Sequence, residues 1–403
     1  MLSKTIASSI AVIACSLGLS AKGPFYSQNL PTNLNFGLKE LVLSQNTTAS
    51  PFAKKVAKTL LSRAIRNDEG HVMVKAVVND RKFYAGLKST LAAQGIEIYA
   101  EYAAYREGVL SFYAPIPKLS ALAKLDGIKS LSLELKPITN VGSVTAQAVS
   151  VLSTDLINSF GFEGTGIKVG VISDSYDTFL TGITAADDIA SGDLPGIGNP
   201  LGNTTPIIVL EDLGPLGGID EGRAMLQIIH DIAPKADLGF ATAFISEVGF
   251  ANNIVNLADP LQFGADIIVD DIIYLAEPMF SDGIVAQAVD TVAAQGVSYF
   301  SSAGINPGTS AFSGTFTPVF PTEVDALIIS GSENIDITPI PLEAYQFGFH
   351  DFDEGPDIAI TQTIDLLVDG TLIFQWNDPY DVGGITADYD VYVWDTAGVF
   401  LGA

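Results

Sequence analysis

From Gly164 onward the chain alternates short, near-continuous Val/Ile runs with helical stretches, and this alternation restricts the fold more than any other feature. The runs are GIKVGVIS, TPIIVLED, ADLGFATAF, ADIIVDDIIY and GVSYFSSAG. Between them lie DEGRAMLQIIHDIAPKA and DGIVAQAVDTVAAQG, whose apolar residues recur at helical spacing. Strands that are apolar at nearly every position are buried on both faces. The pattern therefore predicts a parallel sheet with helices on both sides, a doubly wound α/β unit over 141–338. In such sheets ligands bind beyond the carboxyl ends of the strands, so the residues just after each run are the ones to inspect.

The stretch before this unit has a different rhythm. VMVKAVV is a strand, FYAGLKSTLAAQG a helix closed by Gly95, and IEIYAEYAAYREGVLSFYAPI two strands around Glu107–Gly108. PKLSALAKLDGI places Leu119, Leu122 and Leu125 on one helical face, and KSLSLELKP alternates as a last strand. The order β-α-β-β-α-β predicts a ferredoxin-like α+β unit over 70–140. After about residue 340, apolar and polar residues alternate, with turns at Asp369–Gly370 and Gly383–Gly384. This predicts the start of an inserted or appended β-sandwich over 339–403, broken off inside its last hairpin.

Charge divides the chain sharply. Residues 1–140 carry 17 Lys and Arg against 9 Asp and Glu, whereas 141–403 carry 3 against 37. Halves of opposite sign attract, so 70–140 is expected to be a basic, inhibitory prosegment that binds the acidic domain. The acidic surface excludes nucleic acid as a partner, because phosphates would be repelled. The opening MLSKTIASSIAVIACSLGLSAKG has one Lys, an apolar run and then small residues. That is a signal peptide over 1–22, followed by a linker over 23–69, and it implies a secreted or periplasmic protein. Cys15 is the single cysteine. VIAC, Val12–Cys15, also resembles a lipobox; lipid on Cys15 would anchor the protein at the cell envelope, its one route to a membrane.

Three blocks, GTGIKVGVISDSYD, DEGRAMLQIIHDIAPKA and GVSYFSSAGINPG, resemble in order and spacing the subtilisin/sedolisin clan of serine peptidases. The resemblance covers about residues 70–335. It implies a subtilisin-like fold and a secreted serine-type endopeptidase that cleaves protein or peptide substrates by acyl-enzyme chemistry. In subtilisins the second block opens on histidine; here that position is Glu221. The three histidines, His71, His230 and His350, lie elsewhere, and His230 is nine residues along the same helix, on its opposite face. Sedolisins use glutamate, so the resemblance implies Glu221 as the general base. With an ordinary pKa of about 4.3, such a base works mainly in acid. The second acid of sedolisins, one turn on, is Met225 here, so the orienting acid implied is Asp174, one residue later than the subtilisin pattern places it.

The oxyanion position holds Ile305, with Asn306 one step on, and Asp270 and Asp271 end the preceding run. These three are the oxyanion or cleft candidates. Gly308-Thr309-Ser310 has the composition of the nucleophile turn but follows Gly304 too closely for the intervening strands. The nucleophile is therefore expected beyond Ala403, not at Ser310, and this fragment alone is expected to be inactive. Two other classes stay open. One is a non-catalytic subtilase-like binding or adhesion module, which would account for the missing histidine. The other is a calcium-dependent structural protein: HDFDEGPD clusters hard oxygen ligands, though without EF-hand spacing. Structural calcium is the one cofactor the sequence suggests.

Overall fold

The computed structural model describes residues 8–15, 30–35, 37–45, 51–139, 153–179, 182–214, 217–304, 312–366, 372–378, 387 and 389–402. Strands are numbered in chain order. β1 (Ser8–Cys15), inside the stretch expected to be a signal peptide, belongs to the C-terminal sheet described below. β2 (Val72–Val78), β3 (Ile98–Tyr102), β4 (Val109–Ala114) and β5 (Ile128–Leu133) form an antiparallel sheet in the order β3-β4-β2-β5. The helix Tyr84–Ala93 connects β2 to β3. The helix expected after Pro117 shrinks to a single α-turn, Leu119–Leu122, following a 3-10 turn at Ile116–Lys118. Pro115 and Pro117 precede it, in and beside the 3-10 turn, and Gly127, at φ 97°, turns the chain into β5.

Along β2 the side chains alternate. Val72, Val74, Ala76 and Val78 face a core shared with Leu87, Leu91, Leu110, Phe112 and Leu131. Leu38, Leu41 and Ala57, from the stretch expected to be a linker, fill the same core. Lys75 and Val77 point the other way. Val77, Tyr105 and Val109 pack into the core of the following unit, so every residue of β2 is buried.

That following unit is an α/β layer around a parallel five-stranded sheet. β7 (Lys168–Ser173), β8 (Ile208–Glu211), β9 (Asp237–Thr242), β10 (Ile267–Asp270) and β12 (Ser298–Ser301) stand in the order β12-β10-β7-β9-β8. On one face Val169, Val171, Leu238 and Phe240 pack on Leu226 of the helix Glu221–Ile232. On the other, Ile172, Ala241 and Ile268 pack on the helices Glu247–Ala258 and Ile284–Ala293. Helices thus cover both faces, the arrangement called doubly wound. The near-continuous burial expected of all five runs holds for the inner strands only. β8 and β12 are the edges, where Ile208 and Phe300 are exposed, because each has a neighbour on one side alone.

From β7 the chain winds through β8 and β9 to one side, then crosses to β10 and β12 on the other. The switch point lies at the carboxyl ends of β7 and β10. There β10 gives way to β11 (Ile272–Ile273), which pairs antiparallel with β6 (Ile138–Thr139), the segment leaving the first sheet.

The C-terminal sheet contains β13 (Pro318–Val319), β14 (Phe349–His350), β15 (Gln362–Leu366), β16 (Asp390–Asp395) and β17 (Phe400–Gly402), with β1 pairing antiparallel to β14, β15 and β16. Its core is built around Phe349, Tyr392 and Trp394. The turns expected at 369–370 and 383–384 lie outside the described residues. Among the described residues, no helix is long and apolar enough to cross a membrane.

Candidate active site

Three acids gather at the switch point, each delivered by a different element. Asp174 follows β7, Asp271 follows β10, and Glu221 is the first residue of its helix. β10 and β7 pair with Asp270 opposite Ile172, which carries Asp271 to the level of Ser173.

Asp174 is buried, and its carboxylate is engaged by backbone. Oδ1 accepts from the Glu221 N–H at 2.9 Å, and Oδ2 accepts from the Ile219 N–H at 2.6 Å and the Ser175 hydroxyl at 3.0 Å. It caps the helix from outside. Asp220, the residue before Glu221, sits at φ 57° and makes no cap of its own. That left-handed backbone costs about 1 kcal/mol and is held by the surroundings. Asp220 Oδ1 accepts from the Ser175 hydroxyl at 3.0 Å and the Thr178 N–H at 2.8 Å, while its Oδ2 pairs with Arg223 at 3.1 Å.

The Glu221 side chain meets a different acid. Its Oε2 is buried and receives no N–H or O–H among the described residues. The Asp271 carboxyl faces it, and burial, followed by the Glu221 charge, pushes the Asp271 pKa up to about 7; the Ser173 hydroxyl beside it acts the other way. Two ionised carboxylates offer each other only acceptors. One proton between them converts the clash into a hydrogen bond. Asp271 therefore keeps its proton up to near-neutral pH and offers it to Glu221, and the two form a carboxyl pair.

The remaining candidates occupy other places. Asp270 is buried and turned toward β12: its Oδ1 accepts from the Ile272 N–H at 3.0 Å and the Ser301 hydroxyl at 3.1 Å, and burial raises its pKa. It fixes the bend between β10 and β11. Asn306 and Ser310 lie outside the described residues. Ser173, the hydroxyl beside the pair, is fully buried and closed to a substrate. His230 is buried with its pKa lowered by burial, His350 accepts from the Thr317 N–H at 3.2 Å, and His71 pairs with Glu69 at 3.2 Å. In HDFDEGPD, Asp351 Oδ1 accepts from the N–H groups of Asp353 and Ala359, so that carboxylate shapes its own turn. Among the described residues no cluster of three or more His, Cys, Asp or Glu is placed to hold a metal ion.

Arg223 is the residue sequence reading passed over. Its guanidinium is buried and pairs with Asp177 at 2.7 Å, Asp188 at 3.0 Å and Asp220 at 3.1 Å, and donates to the Ile183 carbonyl at 2.6 Å. It ties the loop after β7 to the helix start. One of only three cations in an acidic domain, placed two residues after Glu221, was the available signal.

Gly222 lets this helix start lie directly on the sheet. A Cβ there would stand 2.3 Å from Phe240 Cε2 and 2.8 Å from the Ser175 carbonyl oxygen. Gly222→Ala should destabilise the protein by about 1–3 kcal/mol and displace Glu221. Urea denaturation of the variant checks this, and an unchanged midpoint would refute the close packing.

No protein-family model matches the chain, and no curated protein matches it. Among solved structures it is similar to fervidolysin from Fervidobacterium pennivorans, a keratinolytic enzyme related to subtilisin. The identity is 14% over 61% of this chain and 42% of that one, with a TM-score of 0.38. It is also similar to the epidermin leader peptide processing serine protease from Staphylococcus aureus. A mutant of that protein gives 12% identity over 66% of this chain and 65% of that one (TM-score 0.33), and a second structure gives 12% over 50% and 49% (TM-score 0.29). The chain thus spans less than two thirds of the length of each of these proteins.

Proposed function

We propose that this chain carries the acid–base half of a secreted serine-type endopeptidase, with Glu221 as general base. In this reading a serine hydroxyl from outside the described residues attacks the scissile carbonyl carbon while Glu221 accepts its proton. Glu221 then returns that proton to the departing amine, and water repeats the cycle on the acyl-enzyme. Asp271 replaces Asp174 as the acid that orients the Glu221 carboxyl, and Asp174 holds the helix start in place.

The observation that carries the reading is the juxtaposition of the carboxyl pair with β11. β11 starts at the residue after Asp271 and already pairs through its backbone with the extended segment Ile138–Thr139. An edge that accepts an extended backbone by strand addition is suited to a peptide substrate. The same pairing favours one alternative, a non-catalytic module that binds peptides and performs no chemistry. A serine-directed covalent probe, applied to the protein together with any sequence downstream of Ala403, separates the two. Labelling of one serine with hydrolysis of casein supports the enzyme; binding of peptides without labelling supports the module.

Asp271→Asn tests the role of the pair. Asn keeps the shape and can donate to Glu221 but does not titrate. The wild type should lose activity as pH rises through about 7, when Asp271 ionises beside Glu221. The variant should lack that alkaline limb in its pH–rate profile. A limb that persists in the variant would show that Asp271 is not the partner.

A further inference from the structure

We propose that the seam between the antiparallel sheet and the helix Glu247–Ala258 is a proton-dependent latch, closed in acid and loosened as pH rises, whose opening draws Ile138–Thr139 off β11. The proposal stands on this seam and does not depend on the peptidase reading.

Three glutamates and one lysine share the seam. Lys75, from β2, donates to both Oε atoms of Glu247 at 2.7 Å, with both side chains buried. Glu134, just after β5, accepts the Glu247 N–H on its Oε2 at 2.8 Å and the Ser111 hydroxyl on its Oε1. It thereby caps the helix of the opposite unit. Glu277, half-buried beyond β11, feels the charges of Glu247, Lys75 and Asp270. The other titratable groups facing these carboxyls are tyrosines: Tyr113 toward Glu134, Tyr274 toward all three glutamates, and Tyr299 toward Glu277. Burial raises each of them, so they stay neutral and supply no charge.

One ammonium cannot neutralise two buried carboxylates and a third that is half-buried. The assembled seam is balanced when Lys75 faces one ionised glutamate and the others hold protons. Accordingly burial, with the Glu247 charge next, pushes both Glu134 and Glu277 up to about 7 from the ordinary value of 4.5. A carboxyl with a raised pKa binds its proton more tightly in the docked state than in the open one. The stability it lends is fully present below the ordinary pKa and is lost as pH rises through about 7. Only three residues separate Glu134 from Ile138, so release of this cap frees the strand that occupies β11.

Hydrogen–deuterium exchange of the 403-residue chain at pH 5 and pH 8, corrected for intrinsic exchange rates, reads the latch. Protection of residues 128–139 and of the first turn of the Glu247 helix should fall on the order of tenfold or more between the two pH values. Protection in β16 should not change. Glu134→Gln with Glu277→Gln mimics the protonated carboxyls and should keep the seam protected at pH 8. Equal wild-type protection at both pH values would overturn the latch, and so would a double variant that opens as the wild type does. If the double variant fails to fold, Glu277→Gln alone should show a smaller loss than wild type, and an unchanged loss would overturn the proposal equally.

Discussion

On the proposed reading, and in the protein together with any sequence downstream of Ala403, Glu221→Gln should lower kcat for peptide hydrolysis by on the order of 100-fold or more, with little change in KM. Gln preserves the size and helix position of the residue but cannot accept a proton, so the loss falls on the transition state and not on substrate binding. The wild-type optimum should lie on the acid side of neutral. Below about 7 the Asp271 proton bridges to Glu221 and holds it in place; above that, two ionised carboxylates repel each other in a buried site. Steady-state kinetics of both forms across pH decides the matter. A Gln variant that keeps most of its activity, or a wild type that peaks at alkaline pH, would leave this helix start as a binding surface without base chemistry.

The elements of this site were legible in the sequence to different degrees. The Val/Ile runs announced the inner strands because burial on both faces leaves no polar alternation to blur them. Their carboxyl ends pointed to the switch point, where Asp174 and Asp271 follow the two strands that flank it. What a string of residues does not reveal is the direction of each side chain. Asp270 and Asp271 are consecutive, so they point to opposite sides: one reaches Ser301 on β12, the other faces Glu221. Asp174 and Asp271 were equivalent by position, but the helix start bends over Asp174 and occupies both of its oxygens with backbone N–H groups.

The charge split was legible as a total and misleading as a mechanism. A basic front half and an acidic back half suggest many surface contacts that salt would screen. Among the described residues, Lys75–Glu247 is the ion pair that crosses the seam, and it is buried. The clue was local: a lysine in the middle of VMVKAVV, a strand otherwise apolar throughout, calls for a buried carboxylate. Its partner lies 172 residues away, a separation no periodicity can bridge.

Lys75→Met should destabilise the protein by about 3–5 kcal/mol, the usual cost of removing one member of a buried ion pair and stranding the other. Met fills the space of the lysine stem, so the loss reports charge and not a cavity. The effect should be larger at pH 8 than at pH 5. Lys75 is the cation that draws Glu134 and Glu277 down, so without it both carboxyls ionise at greater cost as pH rises through about 7. High salt should change the loss little, because a buried pair is screened far less than an exposed one. Adding Glu247→Gln to Lys75→Met should restore much of the stability, since the stranded charge disappears, and the cycle isolates the coupling of the two residues. Urea denaturation of the four forms at both pH values measures it. A single-variant loss below about 1 kcal/mol, the range of exposed pairs, or a double variant no more stable than Lys75→Met, would mean that the seam is held by the packing of Val77, Tyr105 and Val109 and not by its charges.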